Sequence, residues 1–148
     1  MKKYKIGYTT GVFDLFHIGH LNILEKAKEQ CEYLIVGVST DELTEKYKGV
    51  KPFIPFEERK RIVESIKYVD KVVPQITQNK IEAYNKYHFD VLMHGDDWKD
   101  TPLFKETERY LKEHGASVIY FPYTKSTSST KIKQVINNFI ENEIDVNE

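Results

Sequence analysis

Five short runs rich in β-branched and aromatic residues, each followed by a segment long enough for a helix, constrain this chain more than any other feature. The runs are Tyr4–Tyr8, Tyr33–Val38, Lys71–Pro74, Val91–His94 and Val118–Phe121, and helices are predicted to start near Leu21, Phe56, Lys80, Pro102 and Ser128. Such alternation is the pattern of parallel strands joined by crossover helices. Leu34, Ile35, Val36 and Val38 form the nearly continuous apolar run of a strand covered on both faces, while Ile23, Leu24 and Ala27 recur at helical spacing. The expectation is an α/β fold built on a doubly wound parallel sheet. Its 148 residues suffice for one domain with its own core, and the polar, acidic stretch from Glu141 to Glu148 reads as a frayed tail.

In sheets of this kind ligands bind beyond the carboxyl ends of the strands, where the strand order reverses. That rule gathers four loops: the turn carrying His17 and His20, the Ser39-Thr40-Asp41 turn with the lysines after it, His94 to Trp98, and Tyr123 to Thr130. The first is Gly11-Val12-Phe13-Asp14-Leu15-Phe16-His17-Ile18-Gly19-His20. A strand that turns at glycine into a helix presents unpaired N–H groups and a positive dipole end, which favour a bound phosphate. Two imidazoles in that turn would add movable positive charge, and Gly19 would let the backbone approach an anion closely. An isolated pair of histidines could equally be a polar helix start and a satisfied core group.

A net charge of −1 offers no general attraction to nucleic acid, and no basic stripe with interleaved aromatics is present. Cys31 is the only cysteine, so an internal disulfide and a thiolate metal cage are excluded, and a buried structural thiol is expected. No apolar run reaches membrane-spanning length and no secretory leader is evident, which makes the cytoplasm the expected location.

The string GxFDxxHxGH formed by Gly11 to His20 resembles the signature of the cytidylyltransferase branch of the HxGH nucleotidyltransferases, and the resemblance continues in order to Ile132. It implies a Rossmann-like nucleotidyltransferase fold and transfer of a cytidylyl group from CTP to a small phosphate monoester, giving a CDP-alcohol and pyrophosphate. His17, His20 and Lys48 would be catalytic. Gly11, Val12, Phe13, Gly19 and Arg59 would contact the nucleotide, with Gly95, Asp96 and Asp97 near its cytosine end. Thr124, Ser128, Ser129 and Thr130 would hold the β- and γ-phosphates, in a segment similar to the family's RTEGISTTKI. Asp14, Lys46, Lys67, Lys80, Trp98, Tyr123 and Lys125 would serve the acceptor.

The chain departs from the family at Lys67, where an arginine is usual, and at Tyr123, where another arginine is replaced; Lys125-Ser126-Thr127 stands in place of Glu-Gly-Ile. Lysine keeps the charge and loses the planar fork. Gly95-Asp96-Asp97-Trp98 is similar to the glycerol-phosphate cytidylyltransferase group, which implies glycerol 3-phosphate as acceptor and CDP-glycerol for wall or capsule polymers. Another polyol phosphate, phosphoethanolamine or a phosphorylated amino-acid derivative stays open as acceptor, as does ATP in place of CTP, because Ser128-Ser129-Thr130-Lys131-Ile132 also resembles adenylyltransferase relatives. A phosphate monoester is already an anionic nucleophile, so no nucleophile–base triad is required. The resemblance further implies magnesium arriving with the nucleotide, no protein-held metal, and a homodimer.

Overall fold

β1 (Tyr4–Gly11), β2 (Cys31–Ser39), β3 (Lys71–Gln75), β4 (Val91–Gly95) and β5 (Ser117–Phe121) form one sheet in the order β3-β2-β1-β4-β5, every neighbouring pair parallel. The structure is a computed structural model and describes residues 2–95, 99–122 and 129–147. Six helices accompany the strands: α1 (Ile18–Gln30), α2 (Asp41–Lys48), α3 (Phe56–Glu64), α4 (Lys80–Tyr87), α5 (Pro102–Glu113) and α6 (Ser129–Asn147). All five expected strands are present, each extended by one to a few residues. Pro74, which cannot donate to a ladder, falls on the edge strand β3, where that deficit is tolerated.

Alternate residues of the strands feed two cores. Leu34, Val36 and Val38 of β2 and Val91 and Met93 of β4 pack with Leu24 and Ala27 of α1 and Val63 of α3 on one face. Tyr8, Ile35 and Leu92 pack with Phe104 and Leu111 of α5 on the other, joined by Ala83, Tyr84 and Tyr87 of α4. This double covering explains why β2 lacks a polar period. Gly37 is needed in β2 because an added Cβ would stand 2.6 Å from the Tyr8 hydroxyl. Cys31 is fully buried at the α1–β2 junction, its thiol donating to the Ala27 carbonyl at 3.4 Å.

Two stretches differ from the sequence expectation. The lysine-bearing segment after β2, for which no helix was expected, forms α2: Thr40 Oγ1 accepts the Leu43 N–H at 3.1 Å, Asp41 and Glu42 occupy the first turn, and Gly49 closes it at φ 82. These are ordinary start and stop signals, and they hold a helix of eight residues because Leu43 and Thr44 bury its inner side. Helix α6 continues to Asn147 across the acidic stretch expected to fray.

The chain adds β2 and β3 on one side of β1, then returns to place β4 on the other. The order therefore reverses between β1 and β4, and the loops leaving their carboxyl ends open the crevice where a ligand is expected.

Candidate active site

The loop from β1 to α1 is the most strained backbone among the described residues. Phe13 and Leu15 adopt φ values of 55° and 50°, in the left-handed region that side chains disfavour at roughly 1 kcal/mol or more each. Two anchors hold them. Phe13 is buried in the core cluster of α1 and packs near Phe16 and His20 at centroid separations of 6.3 and 5.3 Å. Between the strained pair, the buried Asp14 accepts the backbone N–H of Phe53 at 2.8 Å and of Ile54 at 2.9 Å, and an ion pair from Lys133 of α6 at 2.7 Å. Burial alone would raise the Asp14 carboxyl; the bonds from Lys133 and the two amides outweigh it and hold the group below its usual range.

His17 and His20 close a reciprocal cap on α1. The Gly19 N–H donates to His17 Nδ1 at 3.0 Å, and the His17 N–H donates to His20 Nδ1 at 3.2 Å, with the ring centroids 4.0 Å apart. Each Nδ1 is thus an acceptor, so each neutral ring carries its proton on Nε2. Burial lowers His17, and burial together with the neighbouring His17 and Lys48 pushes His20 down to about 3, against a smaller opposing pull from Asp14. At neutral pH both rings are uncharged Nε2–H donors. The movable positive charge expected from the sequence is absent, because a second imidazolium at this distance from the first, in a half-buried turn, would meet both repulsion and desolvation.

A cavity of about 300 Å³ opens beyond the ends of β1, β2, β3 and β4. Of the site residues expected from the sequence, Gly11, Val12, Phe13, Asp14, His20, Lys48, Gly95 and Thr130 line it. Lys48, the last residue of α2, and Lys133 bring cationic side chains to it from separate helices. His17, half-buried with its ring 4.0 Å from that of His20, is not among the lining residues, and Gly19 is buried with its N–H committed to the cap. Ser39 and His94, which open two of the loops expected at the ligand end, also line it, together with Thr9, Thr10, Ile23, Tyr47, Gln75, Gln78 and Lys133, which were not expected there. Gln75, like Ser39 and His94, falls at a strand end, the signal that could have marked it.

Several expected contacts lie elsewhere. Arg59 was expected at the nucleotide, yet its side chain is wholly buried beneath the cavity: Nε donates to Ile54 O at 2.8 Å, Nη1 to Val12 O at 2.7 Å and Ser39 O at 2.8 Å, and Nη2 pairs with Asp41 at 2.6 Å. It ties the β1 loop to the end of β2 and the start of α2. Lys67 is exposed over the Tyr68 ring at 5.2 Å, away from the cavity, and the adjacent Asp70 accepts the Leu34 N–H at 2.7 Å, a structural tie. Lys46 borders a neighbouring depression with Thr77 and Gln78. Lys80 is buried behind Gln75, to whose Oε1 it donates at 2.9 Å. Ser129 begins α6, while Asp96, Asp97, Trp98, Tyr123, Thr124, Lys125 and Ser128 lie outside the described residues.

Asp14 is the one carboxylate in the described lining, and both of its oxygens already serve amides and Lys133. That donor set suits an anion and does not fit a resident divalent cation.

Residues 8–135 match the cytidylyltransferase-like family. The chain belongs to that family. It is 40% identical over 129 residues, 86% of this chain and 94% of the other, to a glycerol-3-phosphate cytidylyltransferase of Bacillus subtilis strain 168. Proteins of the same name from Bacillus spizizenii and Staphylococcus aureus are 43% and 39% identical over 127 residues, each spanning 85% of this chain and 92% and 90% of the relative. Among solved structures, a lipopolysaccharide core biosynthesis protein from Thermoplasma volcanium superposes with a TM-score of 0.68 at 22% identity, covering 84% of this chain and 99% of that one. A pantothenate synthetase from Thermus thermophilus superposes at 0.60 with 14% identity, covering 90% and 66%. These two share the fold. The matched residues take in the sheet from the second half of β1 onward and α6 as far as residue 135; the start of β1 and the remainder of α6 lie outside the match.

Proposed function

We propose that this chain transfers the cytidylyl group of CTP to glycerol 3-phosphate, forming CDP-glycerol and pyrophosphate. One observation carries the reading: about 40% identity along nearly the full length of a protein of that named activity. The cavity supports it with polyphosphate-binding chemistry at the β1–β4 reversal, a capped helix start beside lysines from two helices.

In this reaction an oxygen of the acceptor phosphate forms a bond to the α-phosphorus of CTP. The bond from that phosphorus to the bridging oxygen breaks, and pyrophosphate leaves with the electron pair. The acceptor is an anion, so the protein's tasks are alignment and charge relief. In this proposal His20 and His17 donate from Nε2 to the α- and β-phosphates, Lys48 neutralises the α-phosphate, and the start of α6 at Thr130 receives the departing pyrophosphate. A well-placed donor of this kind contributes roughly 3–4 kcal/mol to a transition state. Magnesium enters held by the phosphates of the nucleotide. The homodimer and the cytoplasmic location expected from the sequence belong to the same proposal.

The test is pyrophosphate release by the purified protein with each of the four nucleoside triphosphates against a panel of small phosphate monoesters. Release with CTP and glycerol 3-phosphate is expected. Release that requires ATP, or that ignores glycerol 3-phosphate in favour of another acceptor, overturns the proposal.

A further inference from the structure

The cavity is chemically two-sided. Its cationic and imidazole groups cluster at the β1 loop, α2 and α6, and His94 and Gly95 mark the β4 end. At the opposite end, the strand order places the termini of β2 and β3, and there the described lining is uncharged: Ser39 closes β2, Gln75 closes β3, Tyr47 comes from α2 and Gln78 from the loop before α4.

These four side chains bond to one another. Gln75 Nε2 donates to Ser39 Oγ and to Gln78 Oε1, both at 3.4 Å, and the Tyr47 hydroxyl bonds to Ser39 and Gln78. The two 3.4 Å bonds are at the long limit, so an incoming hydroxyl can replace them at little cost.

The wall has a fixed polarity because of Lys80. The ammonium has only donors, so the group facing it at 2.9 Å must be the carboxamide oxygen of Gln75. The Gln75 NH₂ is thereby turned toward Ser39 and Gln78. Lys80 and Ser39 are each 1% exposed, so the arrangement is set within the protein and not by solvent. Burial brings Lys80 down to about 7, and the group keeps a hydrogen for Gln75 on either side of that value.

We propose that Ser39, Tyr47, Gln75 and Gln78 read the hydroxyl groups of the acceptor's polyol chain, and that Lys80 is the positioning residue that orients this reader through Gln75. The inference rests on the function proposed above and adds which residues recognise the acceptor's hydroxyls. Paired hydroxyl and carboxamide groups match alcohols, which both donate and accept. An aminoalkyl phosphate would bring its ammonium to a wall that carries no carboxylate among the described residues and has Lys80 directly behind it, which selects against it. The nucleotide occupies the β1–β4 end, leaving this end for the acceptor's tail.

The experiment measures pyrophosphate release at saturating CTP with glycerol 3-phosphate, n-propyl phosphate and phosphoethanolamine, on the wild-type chain and on Gln78→Leu, Gln75→Glu and Lys80→Met, each checked for folding by thermal melt. A site built to bond hydroxyls rejects the analogue lacking them, so the wild type should prefer glycerol 3-phosphate to propyl phosphate by about a hundredfold or more in kcat/KM. Gln78→Leu, a half-buried loop position that folding tolerates, should shrink that preference at least tenfold and raise the KM for glycerol 3-phosphate without raising that for CTP. Lys80→Met should do the same through Gln75, and Lys80→Gln, which restores an N–H donor, should recover part of the loss. An unchanged preference in Gln78→Leu and Lys80→Met overturns this inference and leaves the proposed function standing, whereas wild-type preference for phosphoethanolamine over glycerol 3-phosphate overturns both. Absence of pyrophosphate release from CTP with every acceptor removes the function proposal and this inference together.

Discussion

Replacing Arg59 by lysine separates a strut from a ligand contact. The guanidinium makes four bonds between 2.6 and 2.8 Å, to three backbone carbonyls and Asp41, and its side chain has no exposed surface. A lysine can keep charge near Asp41 but, with one nitrogen at the tip, cannot reach carbonyls at residues 12, 39 and 54 together, so at least two bonds are lost. Each buried acceptor left unsatisfied costs about 1–3 kcal/mol, which puts Arg59→Lys near 2–4 kcal/mol after partial relaxation. For a chain of this size each kcal/mol moves the melting temperature by roughly 2–4 °C, so a fall of about 4–16 °C is expected. Urea unfolding followed by circular dichroism, with calorimetric titration of CTP into the folded variant, reads both quantities. The strut account requires a loss of stability that is present without nucleotide. A variant as stable as the wild type that nonetheless fails to bind CTP would refute it, and would return Arg59 to the nucleotide.

His20→Ala should lower kcat by about a hundredfold or more through the missing Nε2–H donor, with about 1 kcal/mol of stability lost from the α1 cap; steady-state kinetics and urea unfolding check both parts. The folded-state value of His20 is depressed to about 3 from its ordinary 6.5, so its contribution is complete above about pH 6.5 and declines as the pH falls toward 3. The urea midpoint of the wild type should therefore drop between about pH 6.5 and 5 more steeply than that of His20→Gln, and equal slopes would contradict the assignment of a neutral ring. Gly37→Ala places a methyl 2.6 Å from the Tyr8 hydroxyl and should cost about 1–3 kcal/mol, part of it recovered in the double variant with Tyr8→Phe; additive losses would show that the crowding lies elsewhere.

Much of the framework was legible along the chain because it depends on near neighbours. The runs at Leu34–Val38 and Val91–His94 fix strands buried on both faces, and Gly11 to His20 marks a strand, a turn and a capped helix within twenty residues. Even α2, which was not expected, carried its signals in Thr40, Asp41, Glu42 and Gly49. The cavity was less legible. Lys133 reaches Asp14 from 119 positions away, and the Phe53 and Ile54 amides reach it from 39 and 40, separations that no local pattern records.

The sequence by itself determined the order of the strands, the glycine- and histidine-bearing turn after β1 and the family, since each follows from periodicity or from residues adjacent in the chain. Tertiary structure alone decided the charge and duty of the residues in that turn and around it. Histidines that look cationic become neutral donors once each Nδ1 accepts an amide and both rings share a half-buried corner. An arginine that looks poised for a nucleotide becomes a strut once three distant carbonyls converge on it. A lysine that looks poised for an acceptor is buried against Gln75. Residue type sets what a side chain can donate or accept, but protonation and pairing depend on burial and on which partners arrive, and the packing of the whole sheet fixes both.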